Sequence, residues 1–235
     1  MPSETDTHNS VMLRLRTETR EAHDRIESVP FSELMLQGRL PQGRFAGQMA
    51  CWLAVHCVLE DAVRTSNSTA CKAVWVEGMA RTSHLRHDLA CHGEVDLPAP
   101  AAVAAMDTVA WIASLSESDP EALLGCLYVL EGSKLGGTIL RGCLDKAYNC
   151  GPDALSYFWA SGKSPMPDFK AFKERMEAAL TTDDQRDRVV VAASGLFNKL
   201  TDVLAGLLED LDTTTGELIQ NASATPDGVC PFGHG

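Results

Sequence analysis

Runs of alternating apolar and polar residues, the signature of a strand, are almost absent from this sequence, which removes sheet folds from consideration. Positive charge is also short. Lys and Arg total 20 against 32 Asp and Glu, a net charge of -12 with a pI near 4.9. That balance argues against nucleic acid or an anionic membrane surface as the main partner, while leaving room for a local basic patch. No uninterrupted apolar run approaches the ~20 residues of a spanning helix, and the opening MPSETDTHNS is too polar to begin a secretory signal. The expectation is a cytoplasmic protein with no membrane insertion. Eight cysteines are present but no C-x-x-C pair, so they read as reduced, mostly buried thiols. Glycine fingerprints for a flavin or nicotinamide are missing too.

What recurs instead is the 3.6-residue period. Phe45, Met49, Trp52, Leu53, His56, Leu59 and Val63 follow one helix face. Val189, Ala193, Leu196, Phe197, Leu200, Val203, Leu204, Leu207 and Leu211 give a longer stripe. Start signals agree: Asp119 precedes Pro120 at a first helical position, and Thr182 precedes two acidic residues. VDLPAPAAV and GKSPMPDF are proline breaks between helices. The spacing predicts a single all-α, multi-helix domain over residues 11–212. Residues 1–10 read as a disordered N-terminus, and 213–235 as a flexible tail with a Cys-Pro motif.

Two segments carry chemistry. LRLRTETREAHDRIES, Leu13 to Ser28, has a narrow inner stripe of Met12, Leu15, Thr19, Ala22 and Ile26, with His23 on or beside it. On this helix alone, a core histidine satisfied by a neighbour is the commoner arrangement. The alternative is an axial ligand to a haem iron, with Arg16 and Arg20 one to two turns away as partners for propionates. The second segment is EGSKLGG, residues 131–137, where Gly132, Gly136 and Gly137 interrupt good helix formers at roughly 1 kcal/mol each. Bare glycines serve most often in close helix–helix crossing. They also allow a flat ligand to lie on the main chain, and a kink that frees carbonyls for hydrogen bonds.

LRTETREAHDRIE resembles the proximal-helix motif of the haem oxygenases, which degrade haem to biliverdin, and YVLEGSKLGGTIL resembles their distal-helix motif in the bacterial style. MACWLAVHCVLED and FKERMEAALTTDDQRDRVVVAASGLF are similar to further helices of the family, so the resemblance covers roughly residues 13–208. It implies a haem-oxygenase-like fold with a kinked distal helix. Haem b would be both cofactor and substrate, and the products would be biliverdin, carbon monoxide and ferrous iron. O₂ and an external electron donor, ferredoxin-like or a flavoprotein reductase, would be the other partners. Carried over by position, the resemblance makes His23 the iron ligand, with Glu27 a carboxylate one turn later. Gly132, Gly136 and Gly137 are the glycines against the haem face. Arg16 and Lys173 become propionate partners, and Phe197 an aromatic lining the pocket.

The sequence departs from the pattern at three places. Ser133 stands where many members carry an aspartate that anchors a water chain. His56 stands where others carry a tyrosine, and shares the distal role with Ser133 and Gly136. Phe169 replaces a second basic residue, with Lys170 adjacent. A non-catalytic haem-binding protein for storage, sensing or delivery would use the same His23 slot. A haem-free relative, thiaminase-like or di-iron, would need inward carboxylates and histidines, for which Glu60 with His84 or His87 is a thin start. His84, His87, Cys91 and His92 in HLRHDLACH lack a convincing fourth metal ligand and read as a solvated face. Cys230-Pro231, near His234, resembles a short haem-regulatory motif.

Overall fold

The computed structural model describes residues 10–159 and 164–219; the tail with Cys230, Pro231 and His234, and residues 1–9, lie outside the described residues. Among the described residues there are ten α-helices and no strand, only one isolated bridge between Leu211 and Leu218. They are α1 (Val11–Glu18), α2 (Arg20–Glu27), α3 (Pro30–Leu36), α4 (Gln42–Thr65), α5 (Thr69–Val74), α6 (Thr82–Cys91), α7 (Ala99–Ser118), α8 (Leu123–Tyr148), α9 (Met166–Ala179) and α10 (Asp183–Gly206). Short 3₁₀ turns lie at Glu77–Met79, Pro120–Ala122 and Pro152–Trp159.

Local chemistry accounts for the boundaries. Ser10 caps α1 by accepting from the Leu13 amide, and the Glu177 carboxylate accepts from the amides of Val11 and Met12. The Leu13–Ser28 segment is two helices rather than one. At buried Thr19 the hydroxyl donates to the Leu15 carbonyl at 2.6 Å, a side-chain bond that bends a helix. Thr182 forms a full capping box with Gln185 at the start of α10, as the sequence signal predicts. Asp119 makes no capping bond; Pro120 opens a 3₁₀ turn and α8 begins at Leu123.

Two apolar clusters make up the interior. One gathers Leu15, Val55, Leu59, Val63, Leu123, Leu127, Leu130, Phe172, Val189 and Leu196. The other gathers Phe31, Phe45, Met49, Leu85, Leu144, Leu155, Val203 and Leu204. Helices α4, α8 and α10 run through both. On α8 the first cluster ends at Leu130 and the second begins at Leu140, so residues 131–137 lie on the seam. There the axis bends by 65° between Pro120–Gly137 and Leu140–Tyr148. Glycine pairs are a recognised cause of such kinks.

Two helices, α7 and α10, are long and apolar enough to cross a membrane by length and composition, each with a mean hydropathy of 1.3 over 18 residues. Neither holds an uninterrupted apolar run; alanines and few charges raise the average. The apolar stripe of α10 is core: Val189, Ala193, Leu196 and Leu200 are all buried between α8 and α7.

Candidate functional site at the bend of α8

The two histidines singled out by the sequence stand in opposite environments. The His23 side chain is 49% exposed at the edge of α2, while that of His56 is 4% exposed inside α4. His23 is not inside the core. It lies beside the stripe of buried Met12, Leu15, Thr19 and Ala22, edge-on to Phe197 of α10 with ring centroids 5.5 Å apart. Its Nδ1 points at carboxylates, Glu27 at 3.6 Å and Asp24 at 3.9 Å. Neither distance is that of a hydrogen bond, and the carboxylates lie on the Nδ1 side of the ring. Among the described residues this trio is the one group with ligand atoms close enough to share a metal ion.

The three glycines of residues 131–137 are not equivalent. A Cβ built on Gly132 would meet nothing within 4 Å, and on Gly136 only the Leu140 side chain at 3.9 Å. Both therefore present bare main chain to open space. Gly137 is buried, and a Cβ there would lie 2.8 Å from the Phe158 carbonyl oxygen. It serves the close-packing purpose instead, letting the 152–159 segment press against the helix at its bend. Gly125, about two turns before Gly132, does the same against α10: a Cβ would sit 2.0 Å from the Val189 carbonyl.

Behind the open face lies a buried polar chain. His56 Nδ1 is 3.0 Å from Glu60 Oε1, and its Nε2 is 3.2 Å from the Tyr157 hydroxyl. The Ser133 hydroxyl donates to the Leu130 carbonyl at 2.8 Å, and its nearness to Tyr157 opposes the rise that burial causes in the Tyr157 pKa. Glu60 accepts further from the Arg81 amide at 2.7 Å and the Thr82 hydroxyl at 2.8 Å. Burial would raise the Glu60 pKa, but the hydrogen bonds from His56, Arg81 and Thr82 outweigh it and hold it at about 2. Burial pushes His56 below its ordinary value and Tyr157 well above its own. At neutral pH the chain thus comprises an anionic carboxylate, a neutral imidazole and a neutral phenol.

Asp88 fixes the geometry of Tyr157. Fully buried on α6, it accepts from the Ser156 amide at 2.9 Å, the Ser156 hydroxyl at 2.6 Å and the Tyr157 amide at 2.7 Å. Beside the chain, Lys134 and Glu131 form a buried ion pair, with Lys134 also donating to the Met79 carbonyl. Burial lowers the Lys134 pKa, and the pairing with Glu131 opposes that.

Sequence reasoning reached Ser133 and His56 but not Tyr157 or Asp88, which join across more than 65 residues of chain. Glu60 was readable one turn from His56 on the same face. Its carboxylate is filled by His56, Arg81 and Thr82, and His84 bonds Ser156, which removes the di-iron start. Arg16 is exposed on α1 and close enough to lower the pKa of half-buried Tyr128, against the rise that burial causes. Tyr128, Gly132 and Gly136 recur every four residues on one face of α8, so Arg16 stands at one end of the open strip. Lys173 is exposed on α9, and Lys170 pairs loosely with Glu174 at 3.9 Å.

The arrangement is an all-helical bundle in which an exposed histidine lies near two carboxylates and a bent helix carries bare glycines. The family model described as Heme oxygenase matches residues 9–206, and the chain belongs to that family. Solved structures share its fold. Heme oxygenase-2 from Synechocystis sp. PCC 6803, in complex with heme and NO, is similar with a TM-score of 0.78 and 18% identity, over 85% of this chain and 86% of that one. The heme oxygenase of Leptospira interrogans is 24% identical with a TM-score of 0.69, over 83% and 98%. Heme oxygenase 2 of Chlamydomonas reinhardtii, solved without heme, is 20% identical with a TM-score of 0.73, over 83% and 96%. A search of curated proteins finds no match to this sequence.

Proposed function

We propose that the chain is a biliverdin-forming haem oxygenase that binds haem b between α2 and α8. The observation that carries the reading is the pair of helix-interior glycines, Gly132 and Gly136, whose bare faces meet open space rather than a neighbouring element. Glycines kept at a cost in helix stability, with nothing packed on them, fit a ligand that rests on the main chain. The residues present suit haem. His23 would offer a ring nitrogen, with Glu27 3.6 Å from Nδ1 and Phe197 packed against the imidazole in a T-shaped pair. Arg16 and Lys173 are exposed cations within an acidic chain, suited to propionates.

Haem would be both cofactor and substrate: when bound it would supply the O₂ chemistry by which its own ring is opened to biliverdin with release of carbon monoxide and ferrous iron. The chain supplies placement and proton order. His23 would hold the iron through an imidazole nitrogen, a weaker electron donor than a thiolate. The bare backbone at Gly132 and Gly136 would let main chain lie close over one haem face and exclude bulk water there. Ser133 lies beside that face and, with His56 behind it, orders a water there. Electrons come from a separate ferredoxin-like or flavoprotein donor. A cytoplasmic setting is supported by the seven free thiols among the described residues, since free thiols persist in reducing compartments.

The test is reconstitution with haem followed by a reductant under air. Loss of the Soret band with growth of biliverdin absorbance, and product identification by mass, is the expected result. Stable haem binding without ring opening would instead make the chain a haem carrier or sensor.

A further inference from the structure

We propose that the outer face of α7 is a docking surface for a second copy of this chain, and that two α7 helices pair antiparallel across it.

The helix carries two seams on opposite sides. Ala101, Ala105, Thr108 and Ile112 are buried at spacings of four, three and four residues, in a helix that packs against α10 and α4. Gly206 of α10 belongs to that contact, since a Cβ there would lie 2.5 Å from the Ala101 amide nitrogen. On the other side, Ala99, Val103, Met106 and Ala110 repeat the same spacing and are exposed. Val103 is 60% exposed and Met106 61%, and Val95 and Leu97 extend the apolar surface just ahead of the helix. Side chains of two paired helices interlock at this spacing. The inner seam is filled by the bundle. The outer seam is bare.

The chemistry of the face selects its occupant. Between Asp96 and Glu117 the one charged residue is Asp107, in a chain where 22% of residues are charged. Depletion of charge marks the core of an interface. The serine hydroxyls near the end of the helix need no water, because Ser114, Ser116 and Ser118 donate to carbonyls of α7 itself at 2.7 Å. Chains of net charge -12 repel one another, and a face nearly free of charge is where two copies meet at least cost. An anionic lipid surface fits poorly: no Lys or Arg occurs between Arg86 and Lys134, and Lys199 of α10 is held over the Trp111 ring.

The outer seam also has the same order of sizes in either direction, small, large, large, small. Turned about a twofold axis between Val103 and Met106, each Val103 meets the partner's Met106, and each Ala99 the partner's Ala110. The reversal staggers the two Asp107 residues by about 7.5 Å along the helices, where a parallel pair would set them side by side. One helix face lies at the low end of the roughly 1,200–2,000 Å² of a stable interface, so the dimer forms on the order of micromolar concentration.

Sedimentation equilibrium of the full chain without haem tests this, and its outcome is independent of the haem reading. The average mass is expected to rise from 25.3 kDa toward twice that with concentration, and the association to tighten as salt screens the repulsion. Val103→Lys and Met106→Glu, at exposed positions, are each expected to weaken it at least tenfold. Mixed in equal amounts, the two variants recover a dimer, because antiparallel pairing sets the new cation of one against the new carboxylate of the other. That recovery also shows that both variants are folded. A chain that stays monomeric to about 100 μM, a dimer indifferent to both substitutions, or no recovery on mixing overturns the proposal. So does a monomer that sediments with phosphatidylcholine–phosphatidylglycerol vesicles and is released by either substitution, which would make the face a lipid surface.

Discussion

Replacing each glycine of EGSKLGG with alanine, one at a time, separates the two uses of a bare backbone. Gly132 and Gly136 sit inside α8 with ordinary helical geometry and nothing, or only a Leu140 methyl at 3.9 Å, where a Cβ would go. Alanine there relieves the helix of a poor former and stabilises the ligand-free protein by about 0.5–1 kcal/mol. For a domain of this size that raises Tm by roughly 1–4 °C. At Gly137 the same methyl meets the Phe158 carbonyl at 2.8 Å, and a main-chain oxygen has little freedom to retreat. Overpacking of that kind costs about 1–3 kcal/mol, which exceeds the gain in propensity. Thermal unfolding without haem should therefore show Gly132→Ala and Gly136→Ala at or above the parent, and Gly137→Ala several degrees below it. Haem titration should reverse the ranking for the first two, because the new methyl occupies the ligand's resting surface. Equal unfolding temperatures for Gly132→Ala and Gly137→Ala would refute the assignment of open and packed faces. Unchanged haem affinity in both Gly132→Ala and Gly136→Ala would refute the claim that the ligand lies on them.

His23→Ala should lose the histidine-ligated absorbance of bound haem and most turnover, checked by spectroscopy with and without added imidazole; parental turnover without imidazole removes His23 as ligand. Gly125→Ala should cost about 3 kcal/mol or block folding, because its Cβ would sit 2.0 Å from the Val189 carbonyl of α10; chemical denaturation reads this, and a neutral result would mean that the two helices separate easily. Acid should unfold the protein in two stages. His56 and Glu60 both have folded pKa values below their ordinary 6.5 and 4.5, so the unfolded chain binds more protons and stability falls as pH drops. The His56 part is lost from about pH 6.5 downward, and the Glu60 part from about 4.5 toward 2. In His56→Gln the first stage should flatten in a plot of Tm against pH while the second remains; a first stage of unchanged depth assigns it to another group.

The helices were legible because their apolar stripes are long and regular: five of the seven positions read along α4 and the whole α10 stripe are buried. The break at Thr19 was not, since it depends on a threonine turning its hydroxyl back on its own helix, something period alone does not encode. The site was half legible. Histidine, glycine and serine positions follow from local motif, yet the glycine motif does not say which glycines are open. That depends on the 152–159 segment returning to Gly137, a contact set by Asp88 from a helix some 50 residues earlier in the chain. Tyr157 was invisible for the same reason: its partner lies 101 residues away.

The division of the interior into two apolar clusters has a thermodynamic consequence for the bend of α8. Each cluster closes mainly on its own residues, and the stretch between them is tied by the Lys134 bond to Met79 and by Gly137 against Phe158 rather than by apolar side chains of its own, so it is the natural place for amide protons to exchange early. A ligand that docks there would act as mortar between two finished walls, contributing RT ln(1 + [L]/Kd) to the whole, about 4 kcal/mol at a thousandfold excess over Kd. If that ligand is also consumed, every turnover dissolves the mortar and returns the chain to its looser form.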